Sequence, residues 1–99
     1  MKYLNQEKLD RMDDSFSYVP EHTRDTLINY IENGLPPGSF VQAVLENNLS
    51  GAYGRADHIN SQHIGTITAW IYNFAPSTCW GSEEKVSDWL KQFRNTEAA

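Results

Sequence analysis

The sequence predicts an all-α fold, a small bundle of four or five short helices with short, capped connections. Apolar residues recur at three- and four-residue intervals around Leu27, Ile67 and Trp89, the spacing of a helix with one buried face. Helix stops and starts crowd between Gly34 and Asp57 and again between Pro76 and Ser82. No segment alternates apolar and polar residues as a half-buried strand would, and no internal repeat is visible.

Taken in order, Leu4, Leu9 and Met12 give a weak helical spacing that Asp13-Asp14-Ser15 interrupts, so residues 1–17 read as an N-terminal arm or short helix. The helical domain follows over residues 18–94. Proline is favoured in the first helical turn and an acid there complements the helix dipole, so Pro20-Glu21 opens a helix running to about Asn33. Leu27, Tyr30 and Ile31 form its inner face, with Ile28 at the edge. Gly34 is placed to end it, with Leu35 folding back in a Schellman-type contact, and Pro36-Pro37-Gly38 forbids continuation. Ser39 with Gln42 three residues on is a capping-box signature for a second helix reaching about Glu46. Asn47-Asn48 breaks it. Leu49 to Ala56 then forms one or two marginal turns, because Gly51 and Gly54 each cost about 1 kcal/mol relative to alanine in a helix.

Asp57 caps the next helix, whose stripe is Ile64, Ile67, Trp70, Ile71 and Phe74, and Pro76 stops it by disfavouring the helical conformation at Ala75. Ser82 caps the last helix, with Glu83 and Glu84 in its first turn, Lys91 and Arg94 in its last, and Val86, Trp89, Leu90 and Phe93 facing inward. Residues 95–99 read as a flexible tail.

Composition excludes several functions. A chain of 99 residues is one domain with one modest core, and a charge of −5 argues against a nonspecific nucleic-acid binder, which needs a basic patch to neutralise phosphates. Basic or neutral partners remain open. The longest apolar run, Ile67 to Phe74, is far too short for a membrane span. The first residues lack the apolar core of a secretory signal, and the single cysteine, Cys79, cannot form an internal disulfide. A soluble, cytoplasmic protein is expected.

Six motifs fall in a recognisable order: Val19-Pro-Glu-His-Thr-Arg-Asp-Thr-Leu27, Gly34-Leu-Pro-Pro-Gly-Ser-Phe40, Ala43-Val-Leu-Glu-Asn-Asn-Leu49, Gly54-Arg-Ala-Asp57, Ile71-Tyr-Asn-Phe-Ala-Pro76 and Cys79-Trp-Gly-Ser82. This set resembles a family of short accessory proteins of tailed bacteriophages and prophages, over about Tyr18 to Phe93. The resemblance implies an origin, a phage or prophage accessory protein, and supplies no activity and no functional residues. Residues 1–17 lie outside it.

The residues themselves carry little catalytic signal. His22, His58, His63 and Cys79 are the metal-ligand candidates, but His58 and His63 are five apart, which turns them away from one another on a helix, and no Cys-x-x-Cys occurs. No metal and no cofactor are expected. Cys79 would need an activating base to act as a nucleophile, and nothing marks one; the simpler account is a small apolar residue that helps Trp80 dock. There is no Walker A sequence, no Gly-x-Gly-x-x-Gly and no Gly-x-Ser-x-Gly, and Gly51-Ala-Tyr-Gly54 lacks the phosphate-loop lysine.

Arg55 stands out because no other Lys or Arg lies between Arg24 and Lys85. Two readings stand for it: a contact with Asp57 or with an acid on another helix, or a phosphate-binding group. The aromatic residues exceed what a small core needs. Trp70 and Trp89 fall on helical stripes, whereas Phe16, Tyr53, Tyr72 and Trp80 have no inward assignment and form the candidate exposed patch; for Trp80, core and interface are both open. The candidate binding residues are therefore Tyr53, Arg55, Asp57 and Trp80. They suit a non-catalytic module that docks on a host or phage protein and modulates it, in the manner of host-takeover and anti-defence inhibitors. The alternative is a nucleotide-binding or sequestering protein with phosphate on Arg55 and a base stacked on Tyr53 or Trp80. An enzyme built on His22, His63 and Cys79 is the remote third class, and self-association into a homo-oligomer is left open.

Overall fold

The computed structural model describes residues 1–98, with side chains as far as Arg94. The described residues form seven α-helices and no strand: α1 (Gln6–Asp10), α2 (Glu21–Asn33), α3 (Ser39–Leu45), α4 (Leu49–Arg55), α5 (His58–Ser61), α6 (Ile64–Phe74) and α7 (Glu83–Ala98), with a 3-10 turn at Arg11–Asp13. The all-α expectation holds, with more helices than the four or five expected. The connector 49–56 closes into α4, and the helix expected onward from Asp57 is divided. At Gln62 and His63 the backbone N–H groups reach back only three residues, to Ile59 and Asn60, which ends α5 and makes His63 the cap of α6.

Caps explain most boundaries. Pro20 precedes α2 and Gly34 ends it in the left-handed region at φ 65°. Its N–H donates to the Tyr30 carbonyl, and that of Leu35 donates to Asn29. The Leu35 side chain does not fold back as expected, and it remains 52% exposed. The reason lies across the fold: a Cβ on Gly34 would collide with the ring of Phe93, so α7 already covers this turn. The Schellman geometry appears at the end of α3 instead. Asn47 is left-handed at φ 64°, its N–H donates to Val44, and the N–H of Asn48 donates to Ala43. The capping box at Ser39 is also absent. Gly38 is the cap, Ser39 is the first helical residue, and the Gln42 side chain donates along the helix to Glu46 at 3.0 Å.

Ala75 is extended before Pro76, and Ser82 Oγ accepts the N–H of Lys85 at 3.1 Å at the start of α7, both as expected. Helix α7 continues to Ala98, so Lys91 and Arg94 do not occupy its last turn. The tail expected over 95–99 falls on residues whose side chains, and for Ala99 the backbone, lie outside the described residues.

Helix α3 is central, touching α2, α4, α6 and α7 and burying Phe40, Val41, Ala43 and Leu45. Trp70, Tyr30, Leu27, Ile31, Ile67 and Ile71 are fully buried around it. The N-terminal segment belongs to the same body. The Glu32 carboxylate accepts three successive backbone N–H groups, from Lys2 (2.7 Å), Tyr3 (2.9 Å) and Leu4 (2.6 Å). Trp70 Nε1 donates to the Lys8 carbonyl at 2.9 Å, Arg24 Nη2 donates to Asp13 at 2.8 Å, and Leu4 and Met12 are buried. A radius of gyration of 12.8 Å leaves no room for a detached arm, since a globular domain of this length has about 13 Å. Among the described residues no helix is long and apolar enough to cross a membrane.

Gly34→Ala should be severely destabilising, because alanine strains at positive φ and its methyl meets the Phe93 ring. A loss of about 2–4 kcal/mol is expected in urea unfolding, and an unchanged midpoint would contradict the cap described above.

Candidate functional site

Two consecutive asparagines build the site. Asn47 takes the left-handed conformation that ends α3, and Asn48 turns its side chain to accept the Gly51 N–H at 2.9 Å, opening α4. The helix so started, Leu49–Arg55, contains both glycines that made it marginal on sequence grounds. Its cap and the burial of Ala52 against the core offset that weakness. Leu49 and Tyr53, one turn apart, face outward at 65% and 56% exposure.

Gly51 has a specific reason to be glycine. The Arg55 side chain lies back along α4, and a Cβ on Gly51 would collide with Arg55 Nη1 and with the Asn48 amide. Arg55 is exposed, and among the described residues the ion pairs are Arg11–Asp14 and Arg24–Asp13. Neither ion-pair reading of Arg55 is therefore realised. Asp57 is occupied elsewhere, its Oδ1 accepting the Asn60 N–H at 2.7 Å as the cap of α5. Asn60, itself buried, accepts the Thr23 hydroxyl at 2.6 Å.

Helix α4 separates the four candidate residues. Arg55 and Asp57 share a polar cleft of about 220 Å³ whose lining includes His22, Thr26, Ser39 and Asn60. A broader cleft of about 500 Å³ shares His22, Asp57 and Asn60 with it and adds Tyr18, Glu21 and Asp25. Trp80 lines a different, apolar cleft of about 70 Å³ with Val44, Leu49, Ile64, Thr68 and Ile71. Tyr53 lines none of these three. Trp80 is half-buried and meets Tyr72 edge-on, with ring centroids 5.9 Å apart, while Tyr72 is 71% exposed. Phe16, Tyr53 and Tyr72 are thus exposed as expected, and Trp80 is part core and part surface. Sequence reasoning missed Leu49 as a wall of the apolar cleft and the buried Thr23–Asn60 pair, for which the chain offers no local signal.

Cys79 is fully buried, in a loop where its carbonyl accepts the Tyr30 hydroxyl at 2.7 Å. Burial pushes its thiol up to about 12, its own backbone hydrogen bond opposing only in part. A thiolate at neutral pH is the requirement for a cysteine nucleophile, and this site withholds it. Burial, followed by the nearby Cys79 and Glu46, also raises the Tyr30 hydroxyl well above its ordinary value. His63 packs on Tyr18 at 4.8 Å, and among the described residues no group of three His, Cys, Asp or Glu side chains is placed to hold a metal ion. Comparison with protein-family models, curated proteins and solved structures returns no match.

Both raised groups make the fold alkali-sensitive. Each is protonated in the native state while the unfolded chain ionises near pH 9 for the thiol and 10 for the phenol, so stability is fully present below those values. Above pH 9 it should fall by about 1.4 kcal/mol per pH unit from Cys79, and more steeply above 10 as Tyr30 joins. Urea midpoints between pH 7 and 11 should show this, with Cys79→Ala flattening the first step. The native thiol should also resist a disulfide reagent that reacts at once in denaturant. A flat alkaline profile, or rapid native labelling, would contradict the burial of this loop.

Proposed function

We propose that this chain is a small, acidic, non-catalytic accessory protein of phage type that docks on a host or phage protein in the bacterial cytoplasm. It modulates that target by occlusion, as a host-takeover or anti-defence inhibitor acts. The observation that carries the reading is the surface of α4, where an exposed Tyr53 and an Arg55 that has no carboxylate partner among the described residues stand on a short helix opened by the Asn48 cap. Tyrosine and arginine are the residue types that dominate binding hot spots, and a guanidinium left unpaired is available to a partner's carboxylate or carbonyl. Glu21, Asp25 and Asp57 line the adjoining clefts, and with a chain charge of −5 they favour approach of a basic target. The burial of Cys79 supports a non-catalytic role.

A second reading rests on the polar cleft itself. Arg55 and Asp57 face one space of about 220 Å³, where a nucleotide could place its phosphate on the guanidinium and a hydroxyl on the carboxylate. Trp80 lies outside that cleft, so base stacking would pass from Trp80 to Tyr18 in the adjoining one.

Affinity capture from bacterial lysate, with and without phage infection, separates the two. Arg55→Ala and Tyr53→Ala should each weaken a docked protein by about 2 kcal/mol, roughly 30-fold, with an unchanged melting temperature. Equal recovery on wild type and both variants would sink the docking reading. The nucleotide reading requires a rise in melting temperature with millimolar nucleotide that Arg55→Ala abolishes.

A further inference from the structure

The wide cleft between the start of α2 and α5 gathers negative charge that the chain does not neutralise. Glu21 and Asp25 stand one turn apart on α2, and Asp57, the cap of α5, lines the same space of about 500 Å³. Among the described residues the ion pairs are Arg11–Asp14 and Arg24–Asp13, so no Lys or Arg meets any of these three carboxylates. Asp57 Oδ1 is held by the Asn60 N–H, and its Oδ2 has no hydrogen bond among the described residues. Like charges four residues apart on a helix repel. The positive end of α2 lies at the same wall, yet it is equivalent to about half a charge against three carboxylates.

One enclosed group in this cleft is also unsatisfied. Asn60 is 7% exposed, and its Oδ1 accepts the Thr23 hydroxyl at 2.6 Å, which fixes the amide with Nδ2 turned away from Thr23. Nδ2 donates to no described residue. Among the described residues the fully buried side-chain atom without a partner is Arg24 Nε, so Asn60 Nδ2 keeps contact with solvent. The space on which Asn60 opens is this cleft and the smaller one beside it. A polar side chain so enclosed, with a donor left over, lacks one acceptor oxygen. The cleft thus asks for a cation and an acceptor together.

We propose that this cleft receives an arginine carried on an extended segment of the docked protein, the guanidinium among Glu21, Asp25 and Asp57 and a backbone carbonyl of the segment accepting from Asn60 Nδ2. The inference rests on the docking reading for the partner and gives the segment that partner presents its chemistry. Three unpaired carboxylates select a cation, and the Asn60 donor selects one that brings a carbonyl oxygen with it. A peptide supplies both within one residue; a metal ion or a polyamine supplies only the first. Arginine suits the walls better than lysine. Its fork can meet two carboxylates at once, and the half-buried ring of Tyr18 offers an aromatic surface for the guanidinium plane. Ile59, 58% exposed at the same cleft, offers apolar surface to the methylene stem.

Titration of the full, isotopically labelled chain with a Gly-Gly-Arg-Gly-Gly peptide blocked at both ends, followed by NMR at neutral pH, tests it. The side-chain amide signal of Asn60 should move downfield and saturate, with a Kd of about 1 mM or tighter. Lysine in place of the arginine should weaken binding by roughly 3-fold or more, and citrulline, of the same shape without the charge, should abolish it. Glu21→Gln combined with Asp25→Asn should weaken the arginine peptide roughly 10-fold with the circular dichroism spectrum unchanged, since both side chains are exposed and accept no hydrogen bond within the described residues. Equal binding of the citrulline peptide, an unchanged affinity in the double variant, or a peptide that binds without moving Asn60 overturns the proposal. Adenosine monophosphate that shifts Asn60 where the arginine peptide does not assigns the cleft to a nucleotide and overturns it too. The docking reading is judged separately: a protein captured through Tyr53 and Arg55 keeps that reading even when the peptide fails, and peptide binding at Asn60 keeps the arginine chemistry of the cleft even when capture fails.

Discussion

The fold turns on Tyr30. Its side chain is fully buried in α2, and its hydroxyl donates to the Cys79 carbonyl while its own carbonyl accepts both Trp89 Nε1 at 3.1 Å and the N–H of Gly34. One residue thereby fixes the loop before α7, the docking of α7, and the turn that ends α2. A buried hydroxyl and a buried indole N–H each need a partner, and here each finds a backbone carbonyl, the indole sharing that of Tyr30 with the Gly34 N–H. The secondary consequences spread outward. Trp89 receives the edge of Tyr3 at 4.9 Å, Phe93 closes over Gly34, and the loop that Tyr30 holds returns a bond from the Gly81 N–H to the Leu45 carbonyl at the end of α3.

That last bond links the core to the candidate surface. Leu45 is the residue after which α3 turns, and Asn47-Asn48 then reverses the chain into α4. The orientation of α4 follows from a turn three residues long, and it places Arg55 toward the polar cleft it shares with Asp57 and Leu49 toward the apolar one. Leu49 and Arg55 thus line separate clefts of a single small domain. A protein with one modest core has little else to offer a partner than such clefts, since a deep enclosed pocket would remove the core that holds it together.

What was legible in the sequence was what local chemistry determines. Pro20, Gly34, Asn47-Asn48, Asp57, Pro76 and Ser82 mark helix ends through backbone rules that act within a few residues, and the stripe from Ile64 to Ile71 survives any tertiary arrangement. The exposure of Tyr53 and Tyr72 was read by exclusion from those stripes. Most of the errors share a cause, a partner far along the chain. Leu35 stays exposed because Phe93, far along the chain, takes the space over Gly34. Glu32 pulls the N-terminal residues onto α2 through bonds spanning 28 to 30 positions, and Tyr30 reaches Cys79 across 49. The separation of Trp80 from Arg55 is likewise a matter of which side of α4 each one occupies, which residue types alone do not state. Ser39 and Gln42 misled for another reason: a capping box needs its serine outside the helix, and Gly38 took that place.

The three indoles report very different environments. Trp70 and Trp89 are enclosed and hydrogen-bonded to carbonyls, whereas Trp80 is half-buried at the rim of the apolar cleft with Tyr72 against it. The protein therefore carries its own optical label: quenchers dissolved in water reach Trp80 while the two core indoles supply a constant, blue-shifted background. Any molecule that comes to cover Trp80 and Tyr72 changes the accessible fraction of the emission, so occupancy of that surface can be followed without attaching a dye.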